Sequence, residues 1–578
     1  MGARVKLVVL AATVCGVLLV CCSVALAAWG TGVEATLPAN AGPNQGVTLS
    51  SLSCASAGNC TAVGRYHDSS YNLQGLLLTE TAGAWAAGVE ATLPANAGPN
   101  PVVSLHSVSC ASAGNCTAVG NYEDSSGNPQ GLLLSETAGV WATGVEPTLP
   151  ANAGSPPQIT LTSVGLVSCA SAGNCTAVGI YTDSSGNQQY LLLTETAGAW
   201  ARGVEATLPA NAGPNHDVGL KSLSCASAGN CTAVGNYVDS SGNTQGLLLT
   251  ETAGAWATGV EATLPANASS EQDVNVTSVS CASAGNCTAV GNYSDSSYNP
   301  QGLLLRETAG AWATGVEATL PANANSTEYN QDVLIDSVSC ASAGNCTAVG
   351  SYDDSSGNRQ GLLLSETAGA WAPGVQATLP ANAGSPTDVA LNSVSCASAG
   401  NCTTVGNYDD SSYNQQGLLL TETAGVWATG IEATLPANTA SEPSVSLTSV
   451  SCASAGNCTA VGGYDDSSGN EQGLLISSTT PSTSLTAAPQ IAPHGAAGLD
   501  VASATLTSGG TALSGQTITF TDGSLQLCTA TTNTKGTATC LIPLKDEILV
   551  LLTNKYTATY TATPNYSGST ATTPAIIL

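Results

Sequence analysis

Short apolar runs alternate with turn-forming residues along most of the chain, and this alternation recurs as one repeated unit. The copy around Ser337 to Trp371 shows the unit in full. Four of its runs predict β-strands, which we label A to D: VLIDSVSC, CTAVGSY, QGLLLSET and AWAPGVQATLP. The segments between them, ASAGN, DDSSGN and AG, are rich in residues that favour tight turns. The pattern therefore predicts four antiparallel strands per unit, which is typical of a β-propeller blade.

Pairs of cysteines six positions apart mark eight copies of the unit. In the first seven copies, 31 residues separate the first cysteine from the following tryptophan. From that tryptophan to the next pair the distance is 25 residues in five cases and 28 in two, so the length varies in one connection only. A fixed unit with one variable loop is typical of a repeat array. The pairs are Cys54/Cys60, Cys110/Cys116, Cys169/Cys175, Cys225/Cys231, Cys281/Cys287, Cys340/Cys346, Cys396/Cys402 and Cys452/Cys458.

Side-chain size predicts the order of the strands within a blade. Runs A and B carry mainly Ser, Ala, Val and Gly, whereas run C carries three consecutive Leu residues and run D opens with Trp. Because blades are wedge-shaped, the small residues predict that A lies nearest the axis. The unbroken Leu run predicts a strand that neighbouring blades cover on both faces.

The two ends of the array complement each other. The eighth copy ends at ISST, without the Trp and the TLPAN sequence of the other copies, while AAWGTGVEATLPAN stands near the N-terminus. We therefore expect Trp29 to Asn40 to form the outer strand of the last blade, which leaves no free sheet edge. The predicted fold class is all-β, with an eight-bladed propeller over residues 28–479 that residues 28–40 complete.

The first 27 residues have the features of a secretory signal peptide. Arg4 and Lys6 precede an apolar run from Leu7 to Val20, and Ala25-Leu26-Ala27 fits a cleavage site. No other apolar run is long enough to span a membrane. We therefore expect a secreted, extracellular chain that carries no membrane span after cleavage.

Export changes the interpretation of the cysteines. Removal of residues 1–27 takes three of the 21 cysteines and leaves 18, an even number. An oxidising compartment then favours a disulfide within each A–B hairpin. Zinc binding is the alternative, but the six-residue spacing is wider than the usual Cys-x-x-Cys clip, and most pairs have no nearby His.

Charge limits the possible partners. The chain has 39 acidic and 10 basic residues, a formal net charge of −29 and a pI near 4.1. Such a chain repels nucleic acid and anionic membrane surfaces, so we expect neither as a partner. The apolar periodicity argues against an acidic disordered tail.

The repeat ends near residue 479, and a second pattern follows. Residues 480–495 form a Pro-, Ser- and Thr-rich linker that merges into the next domain. In residues 496–578, six runs predict a small β-sandwich. They are LDVASATLT, QTITFTDG, LQLCTATT, GTATCLIP, YTATYTAT and ATTPAIIL. Cys528 and Cys540 flank the turn between two of these runs and predict a ninth disulfide.

Gly510 to Cys540, GTALSGQTITFTDGSLQLCTATTNTKGTATC, resembles the bacterial Ig-like domains found as spacers in adhesins and surface enzymes. This resemblance implies a stalk or spacer. The repeat itself is similar to secreted bacterial β-propeller proteins with an SCxSxxxCxAVG signature. Its C–D turn, TETAGAW, also distantly resembles the Asp-box of sialidase-like propellers.

Sialidases surround a carboxylate with three Arg residues, and this chain departs from that pattern. Thr81 stands where the Asp-box has Asp, and Gly83 is one residue closer to Trp85 than in the box. The Arg residues of the predicted propeller occupy four different positions of the unit: Arg65, Arg202, Arg306 and Arg359. Sialidase activity is therefore not predicted.

The acidic B–C turns are one candidate site. Each copy carries an Asp within DSS(G/Y)N, and carboxylate and carbonyl oxygens are the ligands that Ca²⁺ prefers. The alternative is an Asx-type hairpin turn without metal. Apart from possible Ca²⁺, we expect no cofactor. The eight residues are Asp68, Asp124, Asp183, Asp239, Asp295, Asp354, Asp410 and Asp466.

A second candidate is the ring of residues four positions before each first cysteine, because its members differ while their neighbours do not. His106, Lys221 and Asp336 are members whose side chains suit ligand binding or acid–base work. The alternative is a solvated channel wall. The ring comprises Ser50, His106, Gly165, Lys221, Thr277, Asp336, Asn392 and Thr448.

These patterns favour a secreted or surface-associated, monomeric binding or adhesion protein without catalytic activity. Eight similar blades suit multivalent recognition of an extracellular glycan or a surface protein. A structural envelope protein is the second hypothesis, since the copies are nearly identical. A glycan-active enzyme is the third, although no catalytic constellation emerges from the sequence.

Overall fold

The protein is described from a computed structural model. It covers residues 28–43, 46–155, 159–160, 166–213, 219–271, 273–325, 332–479, 483–492, 501–508, 510–542, 550, 553–561 and 566–577. The predicted signal peptide, residues 1–27, lies outside the described residues. Within these ranges no helix has the length and hydropathy that a membrane span requires.

Eight antiparallel sheets of repeated design follow one another along the chain, preceded by the short strands β1 (Ala28–Trp29) and β2 (Val33–Glu34). The first sheet contains β3 (Thr48–Ser56), β4 (Asn59–His67), β5 (Leu73–Thr81), β6 (Ala84–Trp85) and β7 (Val89–Glu90). The second contains β8 (Ser104–Ser112), β9 (Asn115–Glu123), β10 (Pro129–Thr137) and β11 (Val140–Trp141). The third contains β12 (Ile159–Thr160), β13 (Leu166–Ser171), β14 (Asn174–Thr182), β15 (Gln188–Thr196), β16 (Ala199–Trp200) and β17 (Val204–Glu205).

The next three sheets repeat this design. The fourth contains β18 (Gly219–Ser227), β19 (Asn230–Val238), β20 (Thr244–Thr252), β21 (Ala255–Trp256) and β22 (Val260–Glu261). The fifth contains β23 (Val274–Ser283), β24 (Asn286–Ser294), β25 (Pro300–Thr308), β26 (Ala311–Trp312) and β27 (Val316–Glu317). The sixth contains β28 (Val333–Ser342), β29 (Asn345–Asp353), β30 (Arg359–Thr367), β31 (Ala370–Trp371) and β32 (Val375–Gln376).

The last two repeated sheets complete the set. The seventh contains β33 (Val389–Ser398), β34 (Asn401–Asp409), β35 (Gln415–Thr423), β36 (Val426–Trp427) and β37 (Ile431–Glu432). The eighth contains β38 (Ser446–Ser454), β39 (Asn457–Asp465) and β40 (Glu471–Thr479), and β1 and β2 pair with β40.

Run D is two short strands rather than the single strand that the sequence predicts. In the first sheet, β6 and β7 both pair with β5, and Gly88 lies between them. The Gly88 N–H donates to Thr36 O, which precedes the first sheet, at 2.7 Å. The equivalent glycines do the same toward the sheet before their own. This bond to a neighbour interrupts the ladder within the sheet and splits the strand.

Run C is covered on both faces, as its unbroken Leu residues predict. In β5, Leu76 and Leu78 pack toward Val461 and Leu475 of the eighth sheet, whereas Leu77 packs against the second. All three Leu side chains are at most 1% exposed. Successive strand residues point to opposite faces, so three adjacent Leu residues serve two interfaces.

Hydrogen bonds join the innermost strands of neighbouring sheets. The hydroxyl oxygen of Ser53 accepts a bond from the Cys110 N–H at 3.0 Å, and the equivalent bond occurs between each sheet and the next. The last member of this series runs from the Cys54 N–H to Ser451 Oγ, also at 3.0 Å. Inner strand β3 thus contacts both β8 and β38, so the series of contacts returns to its start.

The N-terminal segment completes the eighth sheet, as its sequence predicts. Ala28 and Trp29 pair with the end of β40, and Val33 and Glu34 pair with its middle. Glu34 Oε2 also accepts bonds from Tyr464 Oη at 3.0 Å and Asn438 Nδ2 at 2.7 Å. The same Tyr–Asn–Glu contacts occur in the other sheets, with Gln376 in place of Glu in the sixth.

Nine further strands form two packed sheets at the C-terminus: β41 (Thr483–Ala487), β42 (Gln490–Ala492), β43 (Val501–Ser508), β44 (Thr511–Ala512), β45 (Thr517–Asp522), β46 (Leu525–Thr531), β47 (Thr537–Leu541), β48 (Lys555–Tyr560) and β49 (Ser569–Ile577). One sheet has the order β41-β43-β44, with β47 also on β43, and the other has the order β42-β49-β48-β45-β46. All six predicted runs are strands. Two more strands, β41 and β42, lie within the predicted linker.

All nine predicted disulfides are present. In the repeated sheets each one links directly paired residues of the two inner strands, with Cα atoms 4.0 Å apart. The ninth, between Cys528 and Cys540, joins β46 to β47 and therefore links the two C-terminal sheets. Phe520 and Tyr556 pack together in that core, with ring centroids 6.0 Å apart. The eight repeat disulfides are Cys54–Cys60, Cys110–Cys116, Cys169–Cys175, Cys225–Cys231, Cys281–Cys287, Cys340–Cys346, Cys396–Cys402 and Cys452–Cys458.

The second cysteine of each repeat disulfide also contacts the preceding sheet, whereas the sequence assigns the pair to its own hairpin alone. Cys60 is 3% exposed, and its Sγ lies 3.5 Å from Thr459 Oγ1 of the eighth sheet. A disulfide sulfur has no hydrogen to donate, so it acts here only as a weak acceptor. The disulfides are therefore part of the packing between sheets as well as within them. Equivalent contacts join Cys287 Sγ to Thr232 Oγ1 at 3.4 Å and Cys346 Sγ to Thr288 Oγ1 at 3.3 Å, and both cysteines are 3% exposed.

Substitution of Trp29 tests whether the N-terminal segment is part of the folded array. We expect Trp29→Ala to lower the free energy of unfolding by about 3 kcal/mol, the lower end for loss of a buried Trp, because this side chain is only partly buried. Denaturant unfolding measures the change. Trp256→Ala, the same position in the fourth sheet, is the matched control and should lose a similar amount. A normal Trp29→Ala protein beside a weakened Trp256→Ala protein would contradict closure by this segment.

Candidate binding site between neighbouring sheets

Two tight turns from each of the first seven sheets meet on one side of the array. In the first sheet, Ala57-Gly58 connects β3 to β4, and Ala82-Gly83 connects β5 to β6. The second turn has positive φ at both residues, 50° and 82°, as type I′ hairpin turns require. Gly83 N–H donates to Gly58 O at 2.9 Å. The side chain of Asn59 also accepts a bond from Ala82 N–H, at 3.3 Å, so the two turns form one fixed surface.

A glutamate near the end of run C is buried in seven of the eight sheets, although a carboxylate at such a position is costly to desolvate. These side chains are between 2 and 4% exposed. Burial raises the pKa of each above the ordinary value of 4.5. The seven residues are Glu80, Glu136, Glu195, Glu251, Glu307, Glu366 and Glu422.

Strand alternation places each glutamate at the interface with the preceding sheet. Glu136 has the same parity as Leu132 and Leu134, which pack against Val63 and Leu77 of the first sheet. Neither oxygen of Glu136 has a hydrogen-bond partner, and the same holds for Glu307. The Trp directly across the strand pair from Glu136, Trp141, likewise has a buried, unpartnered Nε1–H. The interface therefore contains an unused acceptor and an unused donor.

Cavities open above these interfaces. Between the first and second sheets the cavity volume is about 390 Å³, and between the third and fourth about 220 Å³. The first cavity is lined by Thr61 and Thr79 of one sheet and by the Cys110–Cys116 hairpin and Gly139 of the next. Thr61 Oγ1 lies 3.4 Å from Cys116 Sγ, which places the threonine hydroxyl against the disulfide. Small and hydroxyl-bearing side chains thus surround the opening.

Arg306 occupies the equivalent space between the fifth and sixth sheets. It stands where other sheets have Thr or Ser, and its side chain is 37% exposed. Nη1 lies 3.6 Å from Glu366 Oε1 and donates to Gly369 O at 2.9 Å. The guanidinium packs over Gly344 and Gly369, and the cavity there is only about 10 Å³. This interface shows the buried glutamate with a cationic partner.

The interface between the seventh and eighth sheets lacks the glutamate itself. Ser478 takes the place of the glutamate, accepts a bond from Cys458 N–H at 2.9 Å, and leaves no carboxylate there. The cavity at this interface is also about 10 Å³. Between the eighth and first sheets, Glu80 Oε1 accepts a bond from Ser477 Oγ at 3.5 Å beside a cavity of about 80 Å³.

The predicted acidic turns lie on the other side of the array, and their carboxylates are fully engaged. Asp124 Oδ1 accepts bonds from the Ser126 and Asn128 N–H groups at 2.8 and 2.9 Å. Oδ2 accepts bonds from Asn128 Nδ2 and Gln130 Nε2, both at 3.1 Å. Bonds from Asn128, Gln130 and Ser126 lower the pKa of Asp124 to about 2. This is the geometry of the Asx-type turn that the sequence offers as the alternative to a metal site.

The other seven aspartates have the same arrangement. Among the residues that the structure describes, no group of three or more His, Cys, Asp or Glu side chains is arranged to hold a metal ion. Each turn also pairs with a D–A connection, as in the bridge between Ala97 and Asp124. The B–C turns and D–A loops therefore share a side, as the propeller prediction requires.

The predicted channel ring lies on the innermost strands, but its candidate ligand residues are separated. Strand β13 lies between β8 of His106 and β18 of Lys221, and β23 lies between β18 and β28 of Asp336. His106 Nε2 is 2.7 Å from Asn121 Oδ1, and burial lowers the pKa of His106. Desolvation by the surrounding residues raises the pKa of Asp336 to about 6, although part of its side chain is exposed to solvent.

Other members of this ring link neighbouring sheets. Thr277 Oγ1 donates to Ile335 O at 2.5 Å, Asn392 Nδ2 to Leu447 O at 2.8 Å, and Thr448 Oγ1 to Leu49 O at 2.9 Å. These three residues therefore stabilise contacts between inner strands. The position of Gly165 lies outside the described residues.

Three exposed tyrosines stand on the acidic-turn side. Tyr71, Tyr298 and Tyr413 are 59 to 69% exposed and have φ values of 63 to 66°. Five other copies have Gly at this left-handed position, which suits it without strain. Replacement of these tyrosines by Gly is therefore compatible with the turn.

Sequence reasoning missed the buried glutamates and the role of Arg306. Two signals were available: an acidic residue follows the LLL run in seven copies, and Arg306 replaces a Thr or Ser in one copy only. The face to which Glu points and the contact between Arg306 and the next sheet depend on packing, which the repeat pattern alone does not give.

Comparison with known proteins gives no family assignment. No protein-family model matches the chain, and no curated protein matches it. Solved structures with a detectable likeness include a protein of unknown function from Dyadobacter fermentans, at 11% identity and a TM-score of 0.34, over 59% of this chain and 99% of that one. A fucose-specific lectin from Aleuria aurantia matches at 10% identity and a TM-score of 0.27, over 59% of this chain and 97% of the lectin.

A Hadza microbial sialidase matches at 10% identity and a TM-score of 0.31, over 53% of this chain and 63% of the sialidase. At identities and TM-scores this low, the likeness establishes neither a shared fold nor a shared activity. The description of this protein therefore depends on its own strand pairing and side-chain contacts.

The saturated turn aspartates give a prediction for calcium. Because N–H donors already occupy the carboxylate oxygens, we expect added Ca²⁺ to leave the melting temperature unchanged. Asp124→Ala should lower it equally with and without Ca²⁺, and Ser126→Ala, which keeps its backbone donor, should not. A rise in melting temperature with Ca²⁺ that Asp124→Ala reduces would instead support the metal hypothesis.

The buried glutamates predict an unusual pH profile of stability. A group whose pKa is raised on folding stabilises the fold below its unfolded pKa, and this contribution is lost as pH rises through the folded pKa. The glutamates therefore favour acidic pH, near 4.5 and below. The turn aspartates act oppositely, because their contribution is present above 3.8 and lost as the pH falls toward about 2. We expect melting temperature to peak at mildly acidic pH.

Substitution separates the two contributions. Glu136→Gln removes an unpartnered buried charge and should raise the melting temperature at neutral pH. Glu442→Gln, at an exposed loop position, is the control and should have little effect. If Glu136→Gln lowers the melting temperature at neutral pH, the carboxylate has a stabilising partner and this explanation fails.

Proposed function

We propose that this chain is an exported, non-catalytic binding protein that recognises extracellular glycans through repeated pockets between neighbouring sheets. In this proposal the eight sheets are the blades of a closed β-propeller. The C-terminal sheets form an Ig-like sandwich that acts as a spacer at or near the cell surface.

The observation that carries the proposal is the repeated interface itself. Seven interfaces contain a buried glutamate, and Arg306 engages one of them, which leaves six whose glutamate has no cationic partner. Thr, Ser and Asn side chains and backbone groups of the rigid turns surround these openings, and such groups suit the hydroxyls of a sugar. Six similar weak sites on one rigid face favour avidity toward a repeating polymer.

A binding role agrees better with the glutamates than does hydrolysis. Glycoside hydrolysis uses a pair of carboxyl groups that flank the reacting bond. Alternation along run C directs the Glu136 side chain to the interface with the first sheet. Glu80 also lines the cavity there, but its carboxylate bonds to Ser477 of the eighth sheet. Exported localisation is supported by the nine disulfides, which persist in oxidising compartments.

A glycan array with isolated cell-wall material tests the proposal. We expect the labelled mature chain to bind one class of glycan saturably. A triple variant, Thr79→Arg, Thr194→Arg and Thr250→Arg, should weaken apparent affinity at least about tenfold by filling three pockets. Arg306 shows that the fold accommodates arginine at this position.

The triple variant Tyr71→Gly, Tyr298→Gly and Tyr413→Gly is the matched control on the opposite side, and it should bind normally. Loss of binding in this control, with normal binding by the arginine variant, would move recognition to the acidic-turn side. A blank array would contradict glycan binding and favour a structural role, with which the near-identity of the copies agrees.

A further inference from the structure

Among the described residues, the buried glutamates between sheets have no cationic partner except at the Arg306 interface. Glu136 is 4% exposed and Glu307 is 2% exposed, and no oxygen of either has a hydrogen-bond partner. Burying an ionised carboxylate without a partner is unfavourable, so a proton or a cation must offset its charge. A ligand that brings a cation to this position gains a favourable interaction that the unliganded protein lacks.

One interface already contains such a cation, supplied by the chain itself. The Arg306 guanidinium reaches within 3.6 Å of Glu366 from the solvent side and also donates to Gly369 O. It therefore shows that a positively charged nitrogen, connected to solvent, can approach a glutamate that is itself fully buried. It also shows that a carbonyl of the C–D turn accepts a second bond from the same group.

The space that Arg306 fills is vacant elsewhere. A Cβ added at Gly369 would collide with the guanidinium, whereas a Cβ added at the equivalent glycines would meet nothing within 4 Å. These glycines are Gly83, Gly139, Gly198, Gly254, Gly310 and Gly425. In place of Arg306 the other sheets carry Thr or Ser, which bring no charge. A serine there reaches the next sheet's glutamate with a neutral hydroxyl only, as Ser477 does with Glu80 at 3.5 Å. The vacant space is the equivalent of the one from which Arg306 approaches Glu366.

The remaining lining suits a sugar that carries this cation. Asn59, Thr79 and Thr81 line the cavity between the first and second sheets, and none of the three is buried. The net charge of −29 repels uronate-, sialate- or phosphate-bearing polymers and attracts cationic ones. A series of interfaces that repeat the same glutamate position also fits a polymer with a regular repeat better than an irregular basic peptide.

We propose that the pockets between sheets bind the ammonium groups of amino sugars, so that the ligand is a glycan with free, unacetylated amines. Each ammonium occupies the place that the Arg306 guanidinium takes between the fifth and sixth sheets, next to the buried glutamate and the C–D turn. This inference rests on the proposed glycan binding and specifies its ligand class. It assigns six sites, since Arg306 blocks one interface and Ser478 removes the carboxylate from another.

Paired oligosaccharides test the inference with the mature full-length chain. Calorimetry at near-neutral pH compares a β-1,4-linked glucosamine tetramer with its fully N-acetylated counterpart. We expect the free-amine tetramer to bind at least about tenfold more tightly, and the difference to shrink with added salt. Equal binding of the two tetramers overturns the amine inference while leaving glycan binding intact.

Variants of the chain connect binding to the individual interfaces. Equilibrium dialysis with glucosamine disaccharide should give one more site in Arg306→Thr and one fewer in Thr79→Arg. Glu136→Gln should also lose one site. Because Glu136→Gln is expected to raise the melting temperature, its loss of binding would not come from unfolding. An unchanged number of sites in all three folded variants overturns the inference.

Further control ligands distinguish an amino sugar from other cations. They also separate a failure of the amine inference from a failure of glycan binding. Lysine amide and arginine amide present the same charge without a sugar, and their binding as tightly as the disaccharide would overturn the amino-sugar assignment. Binding of the array to neutral or acidic glycans, with no response to free amines, would overturn this inference alone. Absence of binding to every glycan and every amine would overturn both proposals.

Discussion

The pairing of the N-terminal segment with the last repeated strand determines how the other contacts are satisfied. β1 and β2 lie on β40, and Glu34 bonds to Tyr464 and Asn438, which are more than four hundred residues away in sequence. With this pairing the eighth sheet gains its outer strands, and the bond from Cys54 to Ser451 completes the series between inner strands. Without this pairing the outer edge of β40 would stay unpaired, and an unpaired strand edge favours aggregation.

The repeated contacts also make the interfaces alike. Each sheet must fit its neighbour through the same Ser–Cys bond, the same Leu packing and the same pair of turns, so small departures from the repeat have local and visible effects. Arg306 fills one pocket without changing the strands around it, and Ser478 removes one carboxylate with a new bond to Cys458. Gln376 likewise replaces a Glu and keeps the contact to Asn323. The rigid frame thus tolerates variation in chemistry at single interfaces.

Strand runs, disulfide pairs and the role of the N-terminal segment followed from the sequence because they depend on local spacing and on what the eighth copy lacks. The sequence also indicated that three adjacent Leu residues face two neighbours. It did not indicate that run D is split, since that break comes from the Gly88 N–H bonding to the preceding sheet. Nor did it assign the ring members Thr277 and Asn392 to contacts between sheets, because their partners are backbone oxygens that any sequence would offer. The sequence also did not predict the contact of Cys60 with Thr459. Cysteine spacing shows which cysteines pair, but it does not show which residues pack against them.

The two sets of repeated carboxylates show why composition alone misplaces a site. The turn aspartates attract attention because they are clustered with polar residues, yet in Asp124 four N–H donors occupy both oxygens and hold the pKa at about 2. The glutamates after the Leu run look like part of a strand, yet Glu136 is buried without any donor, and its pKa is raised. The N–H donors around Asp124 carry partial positive charge and repel a cation. Glu136 has no such donor, so its carboxylate attracts a cation. The number of donors within reach, rather than the number of acidic residues, decides which carboxylates remain available to a ligand.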